Sequence, residues 1–215
     1  MNDMVDPDDH LKWLLDTLLL AERNDEKVHL IGHIPPSYTP DCTKQWSKNF
    51  YKIVDRFSET IVAQFYGHTH IDLFQVITDS GNFIEGDAIA TSWISPSLTT
   101  YDGGLPAIRT FKTDQEYKII DFNTFKPVDG SADGENVPEW ELSYNGLSYF
   151  EDVSPNGLRD FLQKVWEDDD KFSEFYELVH KHSIHHKKSC LRSTKCKKKF
   201  ICQFTKQHSF DSCVF

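Results

Sequence analysis

Two short runs of the chain place histidine directly after glycine at the end of an apolar segment. The first is Gly32-His33 and the second is Gly67-His68-Thr69-His70. Neutral imidazole is a ligand of Zn²⁺ and of other borderline metals. A lone histidine is more often a hydrogen-bonded core residue, but an H-x-H pair with a third histidine at another strand end favours a metal site. The residues therefore predict that His33, His68 and His70 form part of a metal centre.

The segments before the two runs predict that the histidines lie at the rim of a sheet. Val28–Ile31 precedes the first run as a predicted buried strand, and Thr60–Tyr66 precedes the second. Ligands in open α/β folds gather at the carboxyl ends of strands. Along an extended chain the His68 and His70 side chains would not meet, so we expect a turn at Gly67 that lets both rings converge.

Apolar periodicity predicts the elements that hold this rim. An amphipathic helix is predicted over His10–Arg23, with an acidic N-cap at Asp8-Asp9, and a second helix over Gln45–Ser58. The order of the elements predicts an α/β (α+β) fold that ends in a small helical cap. Further strands are predicted at Ile71–Thr78, Asp87–Ile94, Ile108–Phe111 and Glu116–Phe122, and further helices at Leu158–Trp166 and Asp170–His182.

A polar loop over Ser95–Gly104 has no apolar periodicity and follows a predicted strand. Loops at sheet rims often carry function, so Tyr101 is a candidate for substrate contact. A tyrosine that packs in a surface turn explains the sequence equally well. Pro127–Pro138 is rich in Gly, Asp and Ser and is interpreted as a linker.

The charge of the chain is divided unevenly along its 215 residues. The formal net charge is −11, but residues up to Glu177 hold 33 acidic and 14 basic side chains, whereas Leu178–Phe210 holds nine basic residues and no acidic one. An acidic body argues against nucleic acid as a partner. The basic tail could contact anionic lipid, although a solvated cationic surface is the simpler interpretation.

Neither a membrane-spanning segment nor a signal peptide is predicted. The longest apolar run, Leu11–Ala21, is interrupted by Lys12 and Asp16 and is too short to span a bilayer. The chain opens on Met1-Asn2-Asp3, without a basic segment before a hydrophobic one.

Four of the five cysteines lie in the last 26 residues, and Cys42 stands apart. This clustering predicts a small disulfide knot and therefore an oxidising compartment. Zinc binding by the tail is the alternative, because His185, His186 and His208 lie near. Spacing alone leaves three connectivities open for the tail cysteines, which are Cys190, Cys196, Cys202 and Cys213.

The run Lys27–Pro36, followed by Ala63–His70, resembles the acid sphingomyelinase family of calcineurin-like metallophosphoesterases. The resemblance covers nearly the whole chain but only the C-terminal part of such enzymes. It implies that residues 1–126 form the C-terminal half of a metallophosphoesterase β-sandwich flanked by helices. Residues 127–215 would then form a small helical, disulfide-bonded C-terminal domain. Further matching runs are Trp13-Leu14, Trp46-Ser47, Pro96–Tyr101 and Pro138-Glu139-Trp140.

The resemblance also implies two Zn²⁺ ions. His33 and His68 match ligands of one zinc, and His70 matches a ligand of the other. In the family the remaining ligands come from upstream Asp-x-His, Gly-Asp and Gly-Asn-His motifs, and we expect them to lie outside this chain, which has no Gly-Asn-His run. We therefore expect an incomplete site in a chain that is inactive by itself.

The activity implied by the resemblance is the hydrolysis of sphingomyelin to ceramide and phosphocholine at a membrane surface. Tyr101 would help to place the phosphocholine head group, and the enzyme would be secreted or lysosomal. The alternatives are a catalytically inactive fragment, a remnant that binds metal or lipid, and a paralogue that cleaves other small phosphodiesters.

The disulfide pairing implied by the resemblance joins Cys190 to Cys196 and Cys202 to Cys213. The cysteine that matches Cys42 bonds to one upstream of the region covered here, which would account for the odd cysteine.

Overall fold

A computed structural model of the protein describes residues 6–36, 42–79, 86–101, 104–129, 131, 137–180 and 188–205. Within these ranges the chain forms two β-sheets and six α-helices. The strands are β1 (Val28–Ile31), β2 (Ile61–Tyr66), β3 (Leu73–Thr78), β4 (Ala88–Ile94), β5 (Ile108–Thr113), β6 (Ile119–Pro127) and β7 (Trp140–Asn145). The helices are α1 (His10–Arg23), α2 (Lys44–Arg56), α3 (Gly146–Phe150), α4 (Pro155–Glu167), α5 (Asp169–His180) and α6 (Thr194–Ile201).

The first sheet has the strand order β1-β2-β4-β3. Strand β2 runs parallel to both β1 and β4, whereas β3 runs antiparallel to β4. Helix α2 makes the crossover between β1 and β2, as parallel neighbours require. The carboxyl ends of β1, β2 and β4 therefore lie at one rim of the sheet. The second sheet is antiparallel, with the order β5-β6-β7.

Helices α1 and α2 cover one face of the first sheet. Leu18 and Val54 are fully buried, and they share one apolar cluster with Ile61 of β2 and Ile77 of β3. Helix α2 begins where the Thr43 side chain accepts a hydrogen bond from the backbone N–H of Trp46. A capping side chain of this kind satisfies one of the amide groups that a helix start leaves without an intrahelical acceptor.

Aromatic side chains join the two sheets to each other. The rings of Phe65 and Phe111 lie 4.9 Å apart, and those of Trp93 and Phe122 lie 5.2 Å apart, with both pairs bridging the sheets. Trp93 is only 1% exposed. The same apolar cluster continues into the C-terminal helices through Phe150, Phe161, Phe172, Phe175, Phe200 and Phe204. The structure therefore has the predicted mixed α/β architecture, and aromatic side chains form the contacts between its two sheets.

Most of the predicted helices and strands are confirmed. Helix α1 has the predicted bounds, and β2 to β6, α2, α4 and α5 lie within a few residues of theirs. Strand β7 and the short helices α3 and α6 were not predicted, although the residues of β7 alternate between apolar and polar along its whole length. Half of the predicted linker at 127–138 falls outside the described residues, and its first residue ends β6.

Two local predictions are wrong. Strand β1 was predicted to be buried, but it lies at the edge of its sheet, and Ile31 is 85% exposed. The carboxylate at the start of α1 belongs to Asp6, which accepts hydrogen bonds from the amides of Leu11 and Lys12. Asp9 occupies the N-cap position in a left-handed conformation, and its side chain makes no capping bond.

In the described part of the chain, none of the helices combines the length and apolarity that crossing a membrane requires. Helix α1 contains Leu11–Ala21, the longest apolar run of the sequence. Its exposed Lys12 and Asp16 side chains form an ion pair at 2.5 Å across one helical turn.

Leucines at two positions of α1 should respond differently to truncation. Leu18 is fully buried, whereas Leu20 is 59% exposed. We expect Leu18→Ala to lower the free energy of unfolding by about 2–5 kcal/mol, because it leaves a cavity under the sheet. Leu20→Ala should change it by less than about 0.5 kcal/mol. Urea denaturation followed by circular dichroism measures both, and equal losses would contradict the described packing.

Candidate metal centre

Backbone hydrogen bonds join the two glycine-histidine runs at the rim. The parallel register of β1 and β2 places Ile31 opposite Phe65. The Gly32 amide donates to the Phe65 carbonyl at 3.0 Å, and the Gly67 amide donates to the His33 carbonyl at 2.9 Å. The ladder thus continues past both strands, and it brings His33 next to the start of the second run.

The imidazole rings of His33 and His68 lie side by side at this rim. Their centroids are 5.3 Å apart, and the ring planes meet at 82°. When two imidazoles bind one tetrahedral zinc, with nitrogens at about 2.0–2.1 Å from the metal, their ring centres lie on the order of 5 Å apart. The spacing of this pair therefore fits two ligands of a single metal ion.

A tight turn centred on His68 changes the direction of the chain after β2. The Thr69 amide donates to the Gly67 carbonyl at 2.8 Å, and His68 has a φ of 71°. This is the positive-φ form of the γ-turn, which is rare and strained. His70 is also left-handed, with a φ of 54°. Non-glycine residues in such conformations cluster at functional sites, where the surrounding structure must hold them.

The described residues of the rim do not form a complete metal site. His70 is half-buried, and its Nδ1 atom is buried. Among the residues that the structure describes, no group of three His, Cys, Asp or Glu side chains is arranged to hold a metal ion. The donor set therefore fits one pair of ligands, His33 and His68, and a bound zinc would require further donors.

Two short runs have the patterns of motifs expected upstream, but among the described residues neither forms a group of three metal donors with the histidine pair. Asp8-Asp9-His10 has the Asp-x-His pattern and lies at the start of α1, where the His10 ring lies against Trp13 and Trp46. Gly86-Asp87 precedes β4 and therefore lies at the opposite end of that strand from the rim. Neither run supplies the missing ligands.

The loop after β4 leaves the sheet from the same rim. The Ser95 amide donates to the Tyr66 carbonyl at 2.9 Å, one residue before Gly67. Tyr101 lies in this loop and is 86% exposed, and its amide donates to the Thr99 hydroxyl. Its role in substrate contact stays a prediction.

A cavity of about 390 Å³ lies elsewhere, at the other ends of β2 and β4. It forms there because the two strands are paired only from Gln64 and Ser92 onward. Glu59, Asp114 and Lys118 line it together with apolar residues. The cavity is therefore separate from the histidine rim.

The C-terminal cysteines include a disulfide between Cys190 and Cys196, with their Cα atoms 5.2 Å apart. Cys202 is disulfide-bonded as well, and its predicted partner, Cys213, lies outside the described residues. Cys42 contacts the Pro35 carbonyl through its sulfur at 3.8 Å. The tail histidines that could bind zinc, His185, His186 and His208, also lie outside the described residues.

Three residues next to the rim were missed by the sequence reasoning. Asp72, Arg109 and Tyr144 form a buried network just beyond His70. A signal for one of them was present, because Arg109 is two residues from Phe111 and side chains two apart on a strand share a face. An arginine on the face of a core phenylalanine requires a buried partner.

Comparisons with known proteins give consistent matches over most of the chain. It is 37% identical to "Sphingomyelin phosphodiesterase 2" of Caenorhabditis elegans, over 96% of this chain and 34% of that protein. It is 34% identical to "Sphingomyelin phosphodiesterase" of Homo sapiens, over 82% of this chain and 28% of that protein. A "Cyclic GMP-AMP phosphodiesterase" of Rattus norvegicus is 30% identical over 92% of this chain and 46% of its own length. A scan against protein-family models found no match.

The matched proteins are all named as phosphodiesterases. The chain is a homologue of the sphingomyelin phosphodiesterases and their acid sphingomyelinase-like relatives, which confirms the resemblance seen in the sequence. It spans about a third of the length of the sphingomyelin phosphodiesterases that it matches, which is consistent with their C-terminal part.

The two glycines before the histidines should differ in their tolerance of a methyl group. A Cβ at Gly32 would lie 2.9 Å from the buried Tyr66 ring, whereas a Cβ at Gly67 would meet its nearest atom at 3.8 Å. We expect Gly32→Ala to lower the free energy of unfolding by about 1–3 kcal/mol through overpacking. Gly67→Ala should be close to neutral. Thermal and urea denaturation distinguish the two, and a larger loss at Gly67 would contradict the described rim.

Proposed function

We propose that this chain supplies part of the zinc site of a sphingomyelin phosphodiesterase. His33 and His68 would bind one zinc ion, and His70 would bind the second. The observation that supports this most directly is the 5.3 Å spacing of the His33 and His68 rings. The proposed reaction is the hydrolysis of sphingomyelin to ceramide and phosphocholine, and homologues named sphingomyelin phosphodiesterase support it.

When bound, a pair of zinc ions would supply a hydroxide nucleophile and neutralise charge on the phosphodiester. The contribution of this chain is to hold the imidazoles in position before any metal arrives. The Gly67–His33 backbone bond joins the two runs, and the γ-turn directs His68 toward the His33 ring. Imidazole binds a metal ion through a neutral ring nitrogen.

We further propose that the remaining ligands come from a segment that is not in this sequence. Two zinc ions near each other require a bridging carboxylate, and the described rim offers a pair of imidazoles rather than a group of three donors. Strand β1 lies at the edge of its sheet, and the exposed Ile31 leaves room for a further strand beside it. The shorter length of the chain relative to its homologues also supports this proposal.

A lipid substrate is supported by the apolar side chains near the rim. Leu98, Tyr101 and Leu105 lie in the loop that follows β4, and they are 62%, 86% and 51% exposed. Exposed apolar clusters are typical of surfaces that meet lipid or other partners. Tyr101 would stack on the quaternary ammonium of phosphocholine, a cation that aromatic rings bind well. The Cys190–Cys196 disulfide supports a secreted or lysosomal location.

The second candidate is the hydrolysis of a nucleotide phosphodiester. It is favoured by the relative named as a cyclic GMP-AMP phosphodiesterase, of which this chain covers a larger share than of the sphingomyelin phosphodiesterases. The same zinc chemistry serves both substrates, so the rim loop must discriminate between them. An apolar rim favours the lipid, whereas basic side chains near Tyr101 would favour the nucleotide. A catalytically inactive chain that retains metal or lipid binding is the third reading of the same incomplete donor set.

Zinc titration tests the ligand assignment. We expect the purified chain to bind fewer than two equivalents of Zn²⁺ by isothermal titration calorimetry. His68→Ala should weaken binding about tenfold or more, because it removes one of two ligands. His10→Ala removes an exposed imidazole from the start of α1 and should leave binding unchanged. Binding that is insensitive to His68 would contradict the assignment.

Turnover by the chain alone tests its incompleteness. We expect no hydrolysis of a chromogenic phosphocholine ester or of sphingomyelin in detergent micelles, because the described residues contain no group of three donors that could hold a metal ion. The assay is run with added Zn²⁺ at acidic and neutral pH, with His68→Ala as the background control. Cleavage that disappears in His68→Ala would overturn the incompleteness and keep the zinc assignment.

A further inference from the structure

A row of side chains crosses the second sheet and ends beside the histidine turn. The strand registers place Arg109 of β5 opposite Thr124 of β6, and Thr124 opposite Tyr144 of β7. Arg109 lies along this row, with its Nη2 atom 2.9 Å from the Thr124 hydroxyl and 2.5 Å from the Tyr144 hydroxyl. Its guanidinium carbon lies 4.2 Å from the centre of the Phe122 ring.

Asp72 completes the row from the first sheet. One of its carboxylate oxygens accepts a hydrogen bond from Arg109 Nη2 at 2.5 Å, and the other accepts from the Tyr144 hydroxyl at 2.7 Å. Asp72 is two residues beyond His70 and directly before β3. The network therefore connects the end of the histidine turn to the middle of the opposite sheet.

The network is buried, and its charged and hydrogen-bonding groups are paired with one another. The side chains of Arg109 and Asp72 are 1% and 7% exposed. Burial acts to lower the pKa of the Arg109 guanidinium, but the charges of Asp72 and Tyr144 and the hydrogen bonds to both together outweigh it, and the pKa is raised. Burial also raises the pKa of the Tyr144 hydroxyl well above its ordinary value, so this group stays protonated and donates. Removing one partner of such a pair leaves the other charge buried and uncompensated.

The turn needs support of this kind. Between β2 and Asp72 the chain passes through left-handed conformations at His68 and His70. The local bonds around Thr69 close the turn, since the Thr69 hydroxyl accepts from the Ile71 amide at 3.2 Å. These bonds lie within the turn, and the bond from the Gly67 amide to the His33 carbonyl joins its start to the first run. Strained residues persist only where the surrounding structure over-determines them.

We propose that Asp72, Arg109 and Tyr144 are positioning residues that hold the His68–His70 turn in its metal-binding geometry. The proposal rests on the proposed function for its zinc part. Arg109 acts through Asp72, and Asp72 acts through the backbone of Ile71, the single residue between it and His70. The network therefore couples the second sheet, which contributes no ligand in the described part of the chain, to the rim of the first.

Amide hydrogen exchange followed by NMR tests the positioning role without metal. Arg109→Met leaves Asp72 without its cation, and Tyr144→Phe removes one hydrogen bond as the milder variant. We expect both to speed the exchange of the Gly67 and Thr69 amides by about tenfold or more relative to the Cys202 amide of the helical layer. Arg109→Lys keeps the charge and should recover part of the protection.

Lys197→Met is the matched control. Lys197 is 7% exposed and pairs with Asp169 at 2.6 Å, so its loss also removes a cation from a largely buried site, but in the C-terminal helices. Lys197→Met should leave the exchange rates of the Gly67 and Thr69 amides, relative to that of the Cys202 amide, unchanged or lower. In zinc titrations, Arg109→Met and Tyr144→Phe should weaken His68-dependent binding by about tenfold, whereas Lys197→Met should not.

The outcomes separate the two proposals. Unchanged exchange at Gly67 and Thr69 in both Arg109→Met and Tyr144→Phe overturns the positioning role, whether or not zinc binds. If zinc binding by the unmodified protein does not depend on His68, the proposed function fails, and the exchange result alone then decides whether the network holds the turn. Should Arg109→Met fail to fold, Tyr144→Phe carries the same comparison.

Discussion

The parallel pairing of β1 with β2 is the constraint on which the candidate site depends. Parallel neighbours end at the same rim, so two strands that each finish in Gly-His must bring their imidazoles together. The bond from the Gly67 amide to the His33 carbonyl extends this pairing by one step beyond the strands. Helix α2, which makes the crossover, is therefore as necessary to the site as the histidines, although it contributes no ligand.

Packing of the second sheet opposes the strain that this arrangement creates. A chain that leaves β2 through left-handed residues at His68 and His70 is not held by local bonds alone. The aromatic layer of Trp93 and Phe122 fixes the distance between the sheets. The ion pair of Asp72 and Arg109 adds a directional contact at the end of the turn. The aromatic packing stabilises the contact between the sheets, and the buried ion pair fixes the position of the histidine turn.

Much of the fold could be predicted because its periodic elements also form its core. The apolar residues of α2 and β2 predict which side chains of these elements are buried. The Gly-His runs that follow β1 and β2 predict that the histidines lie at the rim. The edge position of β1 could not be predicted, since a four-residue apolar run has the same pattern at an edge as in the centre. The Asp72–Arg109–Tyr144 network was also out of reach, because it depends on the register of three strands and on residues 72 positions apart. Asp8 and Asp9 both adopt a left-handed conformation, and Asp6 therefore accepts the hydrogen bond from the Leu11 amide at the start of α1.

The central claim is that His33 and His68 bind the same zinc ion. X-ray absorption fine structure of the protein with substoichiometric Zn²⁺ counts imidazole ligands per metal and tests this directly. Two imidazoles per zinc are predicted for the unmodified protein, falling to one in His33→Ala and also in His68→Ala. An imidazole count that stays the same in both variants would contradict the account.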